Sequence, residues 1–282
     1  MEQQIRLEPY IFNYDSQGKS TDFPILFLHG FMGDRHEFSD VIPHLSSHFY
    51  CVAVDLPGHG NTQVTAGANY YQMSSTAHGL IEFLDALGIE QCVLVGYSMG
   101  GRLALYLALH FPQRFVRVIL ESASPGLETQ AERDQRRQHD FSRAQALETQ
   151  PFSQFLDHWY DQPLFQSIKA HPDFAKLRQR RLQNDPLELA KSLRYLGTGM
   201  QPSLWPNLQT NPVPLLLIVG ERDQKFVAIN TAMRDRSQPP FPQPQLEIIP
   251  HCGHNVHWED ANAFVHHVHT FLADLSSKAD VS

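Results

Sequence analysis

The sequence predicts an α/β fold, in which helices flank a mostly parallel central sheet and a helical cap is inserted between two strands. Three observations lead to this prediction. Short, continuous apolar runs recur along the chain, and such runs are typical of strands buried on both faces. Helical patterns lie between them, and this alternation favours parallel pairing. The alternation is interrupted once, by a long polar and helical segment.

The elements follow one another in a regular order. The predicted strands are PILFLHG from Pro24, FYCVAVD from Phe49, QCVLVGY from Gln91, FVRVILES from Phe115, PLLLIVG from Pro214 and QLEIIP from Gln245. Helical patterns span about residues 71–87, 99–111 and 258–275, whereas residues 125–211 contain no convincing strand. We therefore expect an α/β core formed by residues 1–124 and 211–282, with residues 125–210 as the helical cap.

Composition excludes several functional classes. The net charge of -8 over 282 residues argues against a nucleic-acid-binding protein, because such proteins rely on basic side chains that face phosphates. The start MEQQIRLEPY has no apolar signal core, and the longest apolar run, from Val213, is too short to span a bilayer. We expect a soluble, cytoplasmic protein.

The three cysteines are odd in number and have no CxxC spacing, which argues against a disulfide framework and against a zinc site. Cys51 and Cys92 fall in strand-like runs, where a free cysteine usually packs as a small apolar residue. The sequence therefore predicts buried, unpaired thiols and no metal centre.

The stretch LVGYSMGGRLAL places a serine between a predicted strand and a predicted helix. Gly96, Ser98 and Gly100 fit the pattern G-x-S-x-G, and this context is typical of a nucleophile elbow. A strained strand-to-helix turn needs small neighbours, because a larger side chain would collide with the backbone. The alternative is a glycine-rich turn with Ser98 as an ordinary helix N-cap.

A serine hydroxyl becomes reactive when a histidine accepts its proton and an acid orients that histidine. In this architecture the order along the chain is Ser, then acid, then His, each after a strand. Asp223 and His254 occupy those places, and Asp235 is the only aspartate between them. His251 and His257 are nearby competitors, which we interpret as loop and helix-start residues.

The run FLHGFMGD supplies the expected oxyanion hole. Its HG pair ends an early strand, so the backbone N–H of Phe31 should act with that of Met99. DLPGHGNT, which begins at Asp55, is interpreted as a structural turn. The serine turn, the acid, the histidine and the HG loop thus follow one another in the expected places. With these four elements, the chain resembles the α/β-hydrolase superfamily over nearly its whole length.

The cap resembles one family more closely. LESASPGLETQAERDQRR, DHWYDQPLF, LRQRRLQND and SLRYLGTGMQPSLW, together with LHGFMGDRHEF and CGHNVHWE, resemble the 2-succinyl-6-hydroxy-2,4-cyclohexadiene-1-carboxylate synthases of menaquinone or phylloquinone synthesis. The resemblance implies a lyase that eliminates pyruvate from a small anionic substrate, without a metal or an organic cofactor. It further implies that the triad serves as a base rather than as an acylated nucleophile.

The same resemblance implies substrate-binding roles for Arg102, Arg133, Arg181, Tyr97 and Trp159. Arginine suits a substrate with three carboxylates, because its guanidinium presents paired donors. The chain has 16 Arg against 6 Lys, and 8 of those Arg lie in the cap. The alternatives are solvated surface arginines and aromatic residues that pack in the core.

Two rival functions stay open at this point. An esterase, a thioesterase or a C–C hydrolase would use the same triad, since fold alone does not determine the reaction. A ligand receptor with a vestigial triad is the alternative of another class. Neutral esters would not require several arginines in the pocket, so replacing Arg102 or Arg133 distinguishes the first rival from the lyase.

Overall fold

The structure is a computed structural model, and it describes residues 3–276. Residues 1, 2 and 277–282, which belong to the predicted core, lie outside the described residues. The strands are β1 (Gln3–Leu7), β2 (Tyr10–Gln17), β3 (Pro24–Leu28), β4 (Tyr50–Val54), β5 (Gln63–Val64), β6 (Cys92–Tyr97), β7 (Phe115–Glu121), β8 (Leu215–Gly220) and β9 (Gln245–Ile249). The helices are α1 (Ile42–Leu45), α2 (Met73–Ala86), α3 (Met99–His110), α4 (Gln130–Thr149), α5 (Phe152–Tyr160), α6 (Gln166–Lys169), α7 (Phe174–Arg181), α8 (Pro186–Leu196), α9 (Gln224–Arg236), α10 (Val256–Glu259) and α11 (Ala261–Ser276).

One sheet contains all nine strands of the described chain, in the order β1-β2-β4-β3-β6-β7-β8-β9, with β5 paired to β2. The pairs from β4 through β9 are parallel, whereas β1, β2 and β5 form antiparallel pairs. The predicted mostly parallel sheet is confirmed, and the six predicted strands are all present. Prediction missed β1, β2 and β5 because these strands are shorter or more polar than the buried runs.

Side chains alternate between the two faces of the sheet. Leu26 and Leu94 pack with α2 and α3 on one face, and Phe27 and Val95 pack with α1 and α11 on the other. This two-sided burial explains why the central strands are continuous apolar runs. The cysteines are buried and unpaired, as predicted for Cys51 and Cys92.

Helices α4 to α8 lie between β7 and β8, and no strand forms in residues 125–211, all of which the structure describes. We call residues 125–210 the cap. Its helices have an apolar cluster of their own, which includes Leu147, Leu156, Leu177 and Leu189. Among the described residues, no helix combines the length and apolarity needed to cross a membrane.

Candidate active site

Ser98 lies in the turn between β6 and α3. Its backbone has φ 49° and ψ −104°, a conformation that a non-glycine residue adopts only under strain. A Cβ atom added to Gly96 would lie 2.5 Å from the carbonyl oxygen of Gly100, and one added to Gly100 would lie 2.2 Å from that of Leu28. The predicted need for small neighbours is therefore confirmed. The Ser98 side chain makes no N-cap hydrogen bond to α3, unlike an ordinary helix cap.

Three predicted residues meet at this turn. His254 Nε2 lies 3.0 Å from Ser98 Oγ, and His254 Nδ1 lies 2.6 Å from Asp223 Oδ2. A carboxylate only accepts hydrogen bonds, so Nδ1 carries the proton and donates it to Asp223. Nε2 is then left as the acceptor for the Ser98 hydroxyl. This chain of hydrogen bonds has the geometry of a serine–histidine–aspartate triad.

Asp223 also caps the helix that follows it. Its Oδ1 accepts a hydrogen bond from the Phe226 amide, 3.4 Å away at the start of α9. The same carboxylate therefore contacts His254 through Oδ2 and caps α9 through Oδ1. The second hydrogen bond fixes the carboxylate plane and so helps to orient His254.

Phe31 and Met99 lie beside Ser98 in the same cavity wall. Met99 is the first residue of α3, so its amide has no partner within the helix. The next residue after Phe31, Met32, has φ 63°, which turns the chain sharply after β3. These positions suit two amides that face a developing negative charge, the expected role of an oxyanion hole.

A cavity of about 560 Å³ lies between the cap and the carboxyl ends of the strands, with Ser98 and His254 in its wall. Four cationic side chains line it: Arg102, Arg136, Arg143 and Lys225. Burial, and then the charge of Arg136, lowers the pKa of Arg102 to about 10. The same two causes lower the pKa of Arg143. The four groups thus form a cluster of positive charge that an anionic ligand would stabilise.

Two acidic residues, Glu128 and Glu132, also line the cavity, and each has a hydrogen-bond partner. Glu128 accepts a hydrogen bond from Arg236, at 2.7 Å, and Glu132 closes the capping box of α4. The buried Asp140 accepts from Arg136 Nε at 2.7 Å and from the Gly199 amide at 3.1 Å. One carboxylate therefore offsets part of the charge of Arg136, and the cavity keeps an excess of cations.

Two of the predicted arginines do not reach the cavity. Arg133 donates hydrogen bonds to the carbonyl oxygens of Leu127 and Glu128 and to the Gln130 side chain, which hold it at the start of α4. Arg181 is 2% exposed and points into the core, where it pairs with Glu37. The substrate contacts expected of both residues are not supported by these positions.

Of the two aromatic residues predicted to bind substrate, Trp159 lines the cavity and Tyr97 does not. Trp159 lines the cavity, with the Phe31 ring centroid 5.2 Å from its own and the Arg143 guanidinium 5.2 Å above its ring. Tyr97 is 4% exposed and packs beneath the cavity, against the rings of His254 and His257. It packs against the ring of His254 and does not line the cavity.

A buried ionic network lies behind the triad. His257, interpreted from the sequence as a helix-start residue, has Nδ1 2.7 Å from Glu121 Oε2 and Nε2 3.2 Å from Glu37 Oε1. Both ring nitrogens face acceptors, so the imidazole carries both protons. Burial would lower the pKa of His257, but Glu121 and Glu37 together raise it to about 9. Two carboxylates are thereby balanced by His257 and Arg181.

The comparisons with known proteins agree with this geometry. Residues 24–261 match the family described as alpha/beta hydrolase fold. The 2-succinyl-6-hydroxy-2,4-cyclohexadiene-1-carboxylate synthase (SHCHC synthase) of Serratia proteamaculans is 34% identical over 260 residues, which cover 92% of this chain and 96% of that one. The chain belongs to the SHCHC synthase family. The SHCHC synthase of an Enterobacter species is 32% identical over 254 residues, covering 90% of this chain and 93% of that enzyme.

A solved structure gives the same result. The structure of MenH from S. aureus superposes with a TM-score of 0.87 at 34% identity, and covers 93% of this chain and 98% of that one. A likeness at this level extends through the cap as well as the core. The α/β-hydrolase fold and the SHCHC synthase family expected from the sequence are both confirmed.

Sequence reasoning did not predict that Arg136, Arg143 and Lys225 line the cavity. A signal for two of them was present, because Arg136, Asp140 and Arg143 recur at helical spacing and share a face of α4 with the buried Leu147. Lys225 follows the triad aspartate by two residues, in the first turn of α9. That helix was not predicted, so its first turn could not be placed at the cavity.

Proposed function

We propose that the protein eliminates pyruvate from 2-succinyl-5-enolpyruvyl-6-hydroxy-3-cyclohexene-1-carboxylate to give 2-succinyl-6-hydroxy-2,4-cyclohexadiene-1-carboxylate. The observation that carries the proposal is the meeting, in one cavity, of Ser98 and His254 with four cationic side chains. The reaction needs a base to remove a ring proton. The substrate also has three carboxylates, so it needs several positive charges around it. Relatives with the corresponding name support the assignment.

The base in this proposal is the Ser98 oxygen. His254 Nε2, held in the acceptor form by Asp223, takes the hydroxyl proton. The resulting alkoxide-like oxygen removes the proton from ring carbon 2, which is acidic because it is adjacent to the succinyl ketone. No covalent bond between serine and substrate is required, which separates this use of the triad from ester hydrolysis.

The electrons then move around the ring. The pair from the broken C–H bond forms the double bond between carbons 2 and 3, and the former 3,4 double bond moves to carbons 4 and 5. The bond between carbon 5 and the enolpyruvyl oxygen breaks, and its electron pair leaves with that oxygen. The departing enolate gains a proton at its methylene carbon and becomes pyruvate, so atoms and charges balance.

Negative charge accumulates first on the succinyl ketone oxygen. The amides of Phe31 and Met99 are the proposed donors to this oxygen, since both residues lie beside Ser98. Arg102, one helical turn after Ser98, is held by the Leu196 carbonyl and Gln201 at 3.1 and 3.0 Å. It is the proposed cation for a carboxylate near the proton to be removed, and Arg136 is the proposed second one.

The proposal is tested by supplying the purified protein with the enolpyruvyl substrate and following pyruvate release together with the absorbance of the conjugated diene. Wild-type protein should produce both signals in equal amounts. Ser98→Ala should lower the rate by about a thousandfold or more, because it removes the proposed base. Ser74→Ala is the matched control, since Ser74 is exposed on α2.

The result that would overturn the proposal is equally specific. A protein that hydrolyses simple esters or thioesters rapidly, but leaves the enolpyruvyl substrate unchanged, is a hydrolase of the same fold. In that case replacing Arg102 by Met would leave the activity on neutral esters largely intact. A lyase should instead lose most of its activity in the same variant.

A further inference from the structure

Two of the cavity cations lie on opposite sides of the boundary between cap and core. Arg143 belongs to α4 in the cap, and Lys225 belongs to α9 in the core, yet both line the cavity of the triad. Arg143 donates a hydrogen bond to Gln162 at 2.6 Å and lies over the Trp159 ring. Within residues 3–276, neither cation forms an ion pair with a carboxylate.

The electrostatics of this pair favour an anion between them. Partial burial, and then the charge of Arg136, lower the pKa of Lys225; Asp223 opposes this shift, and Arg143 adds to it. The cations therefore repel one another across the boundary. A carboxylate placed between them would remove this repulsion and would contact the cap and the core at the same time.

Lys225 also borders a second cavity, of about 520 Å³. The two cavities share Pro163, Leu164 and Lys225, and the second one is lined in addition by Arg222. The lysine therefore stands at the wall between the triad cavity and a second space, which Asp223 also lines.

Ring geometry indicates which carboxylate belongs here. In the proposed reaction the base attacks carbon 2, which carries the succinyl group and is adjacent to the carboxylate-bearing carbon 1. The enolpyruvyl oxygen is on carbon 5, directly across the six-membered ring. Arg102 lies in α3, which begins directly after Ser98, and it suits the groups at carbons 1 and 2. The group at carbon 5 lies on the far side of the ring from the base.

We propose that Arg143 and Lys225 form the subsite for the enolpyruvyl carboxylate, the carboxylate that leaves with pyruvate. This inference rests on the proposed function and adds a specificity element to it. The subsite recognises a substrate with three carboxylates and has no role in holding the product, which keeps two. As the bond from carbon 5 to oxygen breaks, the same cations stabilise the charge that collects on the departing group.

The test compares the substrate with its own product. In Arg143→Met, Lys225→Met and the double variant, we measure KM and kcat for the substrate and the inhibition constant of the cyclohexadiene product. Each single substitution should raise KM about tenfold, as expected for loss of one charge-assisted hydrogen bond. The inhibition constant of the product should change less than about twofold, and Arg143→Lys should recover part of the loss.

Lys176→Met is the matched control, because Lys176 is an exposed cap residue that pairs with Asp173 and does not line the cavity. An unchanged KM in the double variant overturns the subsite. So does an equal increase in KM and in the product's inhibition constant, because the cations would then hold a carboxylate that the product retains. Failure of the proposed function is distinguished from both, since wild-type protein would then release no pyruvate at all.

Discussion

The Glu37 carboxylate accepts hydrogen bonds from both terminal nitrogens of Arg181, at 2.6 Å each. The arginine ends α7 in the cap, and the glutamate lies in the loop after β3 in the core. Arg181 Nε also donates to the Tyr160 hydroxyl at 3.3 Å. Burial would raise the pKa of Glu37, but the charge of Arg181 and the hydrogen bonds from His257 and Arg181 hold it well below its ordinary value. The pair thus fastens the cap to the core.

This pairing predicts a large stability effect for Arg181→Met. The substitution leaves the buried Glu37 charge without its main partner, which should lower the free energy of unfolding by about 3–5 kcal/mol. Urea denaturation measures the change. Arg178→Met is the control on the same helix, since Arg178 forms an exposed pair with Asp157 and should contribute about 1 kcal/mol or less. If Arg181→Met kept full stability and mainly raised KM, the substrate role expected from the family resemblance would be restored.

The protonated His257 predicts that stability falls with rising pH. Its folded pKa of about 9 lies above the ordinary value of 6.5, so its contribution is complete below about 6.5 and is lost as pH rises through 9. Between pH 7 and 8.5 the loss should reach about 2 kcal/mol, at about 1.4 kcal/mol per pH unit. Burial lowers the pKa of His29 and His59, so their effects are confined to lower pH.

Urea denaturation at several pH values checks this slope. His257→Gln should be less stable at pH 7, because Glu121 and Glu37 lose a shared cation. Its stability should fall less steeply between pH 7 and 8.5, where the remaining slope comes from the buried thiols of Cys51, Cys92 and Cys252, whose pKa burial raises to about 12. A wild-type profile that is flat over this window, or that rises, would contradict a protonated His257.

The tight packing of the Ser98 turn should make Gly100 intolerant of a larger side chain. In Gly100→Ala the new methyl group would lie 2.2 Å and 2.5 Å from the backbone oxygens of Leu28 and His29, which cannot move independently of β3. We expect a loss of about 3 kcal/mol or more in the free energy of unfolding, at or above the usual range for overpacking. Activity should fall further, because β3 leads directly to Phe31.

Gly67→Ala is the matched control for this substitution. Its added methyl group would meet only the Asn69 side-chain oxygen, at 3.0 Å, and that side chain can rotate away. The control should remain within about 1 kcal/mol of wild type. If Gly100→Ala were equally well tolerated, the turn would be less tightly packed than the structure indicates.

The residues nearest the sheet could be predicted because topology fixes them. Ser98, Asp223 and His254 each follow a parallel strand, and carboxyl ends of parallel strands meet at one edge of the sheet. Order along the chain was therefore enough to bring three distant residues together. The same reasoning located Phe31 and Met99, which depend on backbone position rather than on side-chain identity.

Cap residues could not be located in this way, because helix rotation decides which side chains face the cavity. Arg133 and Arg136 differ by three positions in α4, less than one full turn, and only the packing of the helix distinguishes them. The ion pairs of His257 could not be predicted either, since its partners Glu121 and Glu37 are 136 and 220 residues away along the chain. Pairings over such distances depend on the completed fold.

Arg136 and Arg133 should differ in what they contribute to substrate binding. Arg136 lines the cavity, and its charge lowers the pKa of both Arg102 and Arg143. Arg136→Met should raise KM for the anionic substrate about tenfold to a hundredfold, the range expected when a hydrogen bond to a charged group is lost.

Arg133→Met should leave KM within about threefold, because Arg133 only ties the start of α4 to neighbouring carbonyl groups. Steady-state kinetics of both variants, each with an unfolding curve, measures the difference. Salt provides a second check, since screening weakens attraction between the cluster and a trianion. KM of the wild type should therefore rise with ionic strength, and the rise should be smaller in Arg136→Met than in Arg133→Met. The reverse ranking would place Arg133 in the cavity and rotate α4 by about 60° from the orientation described.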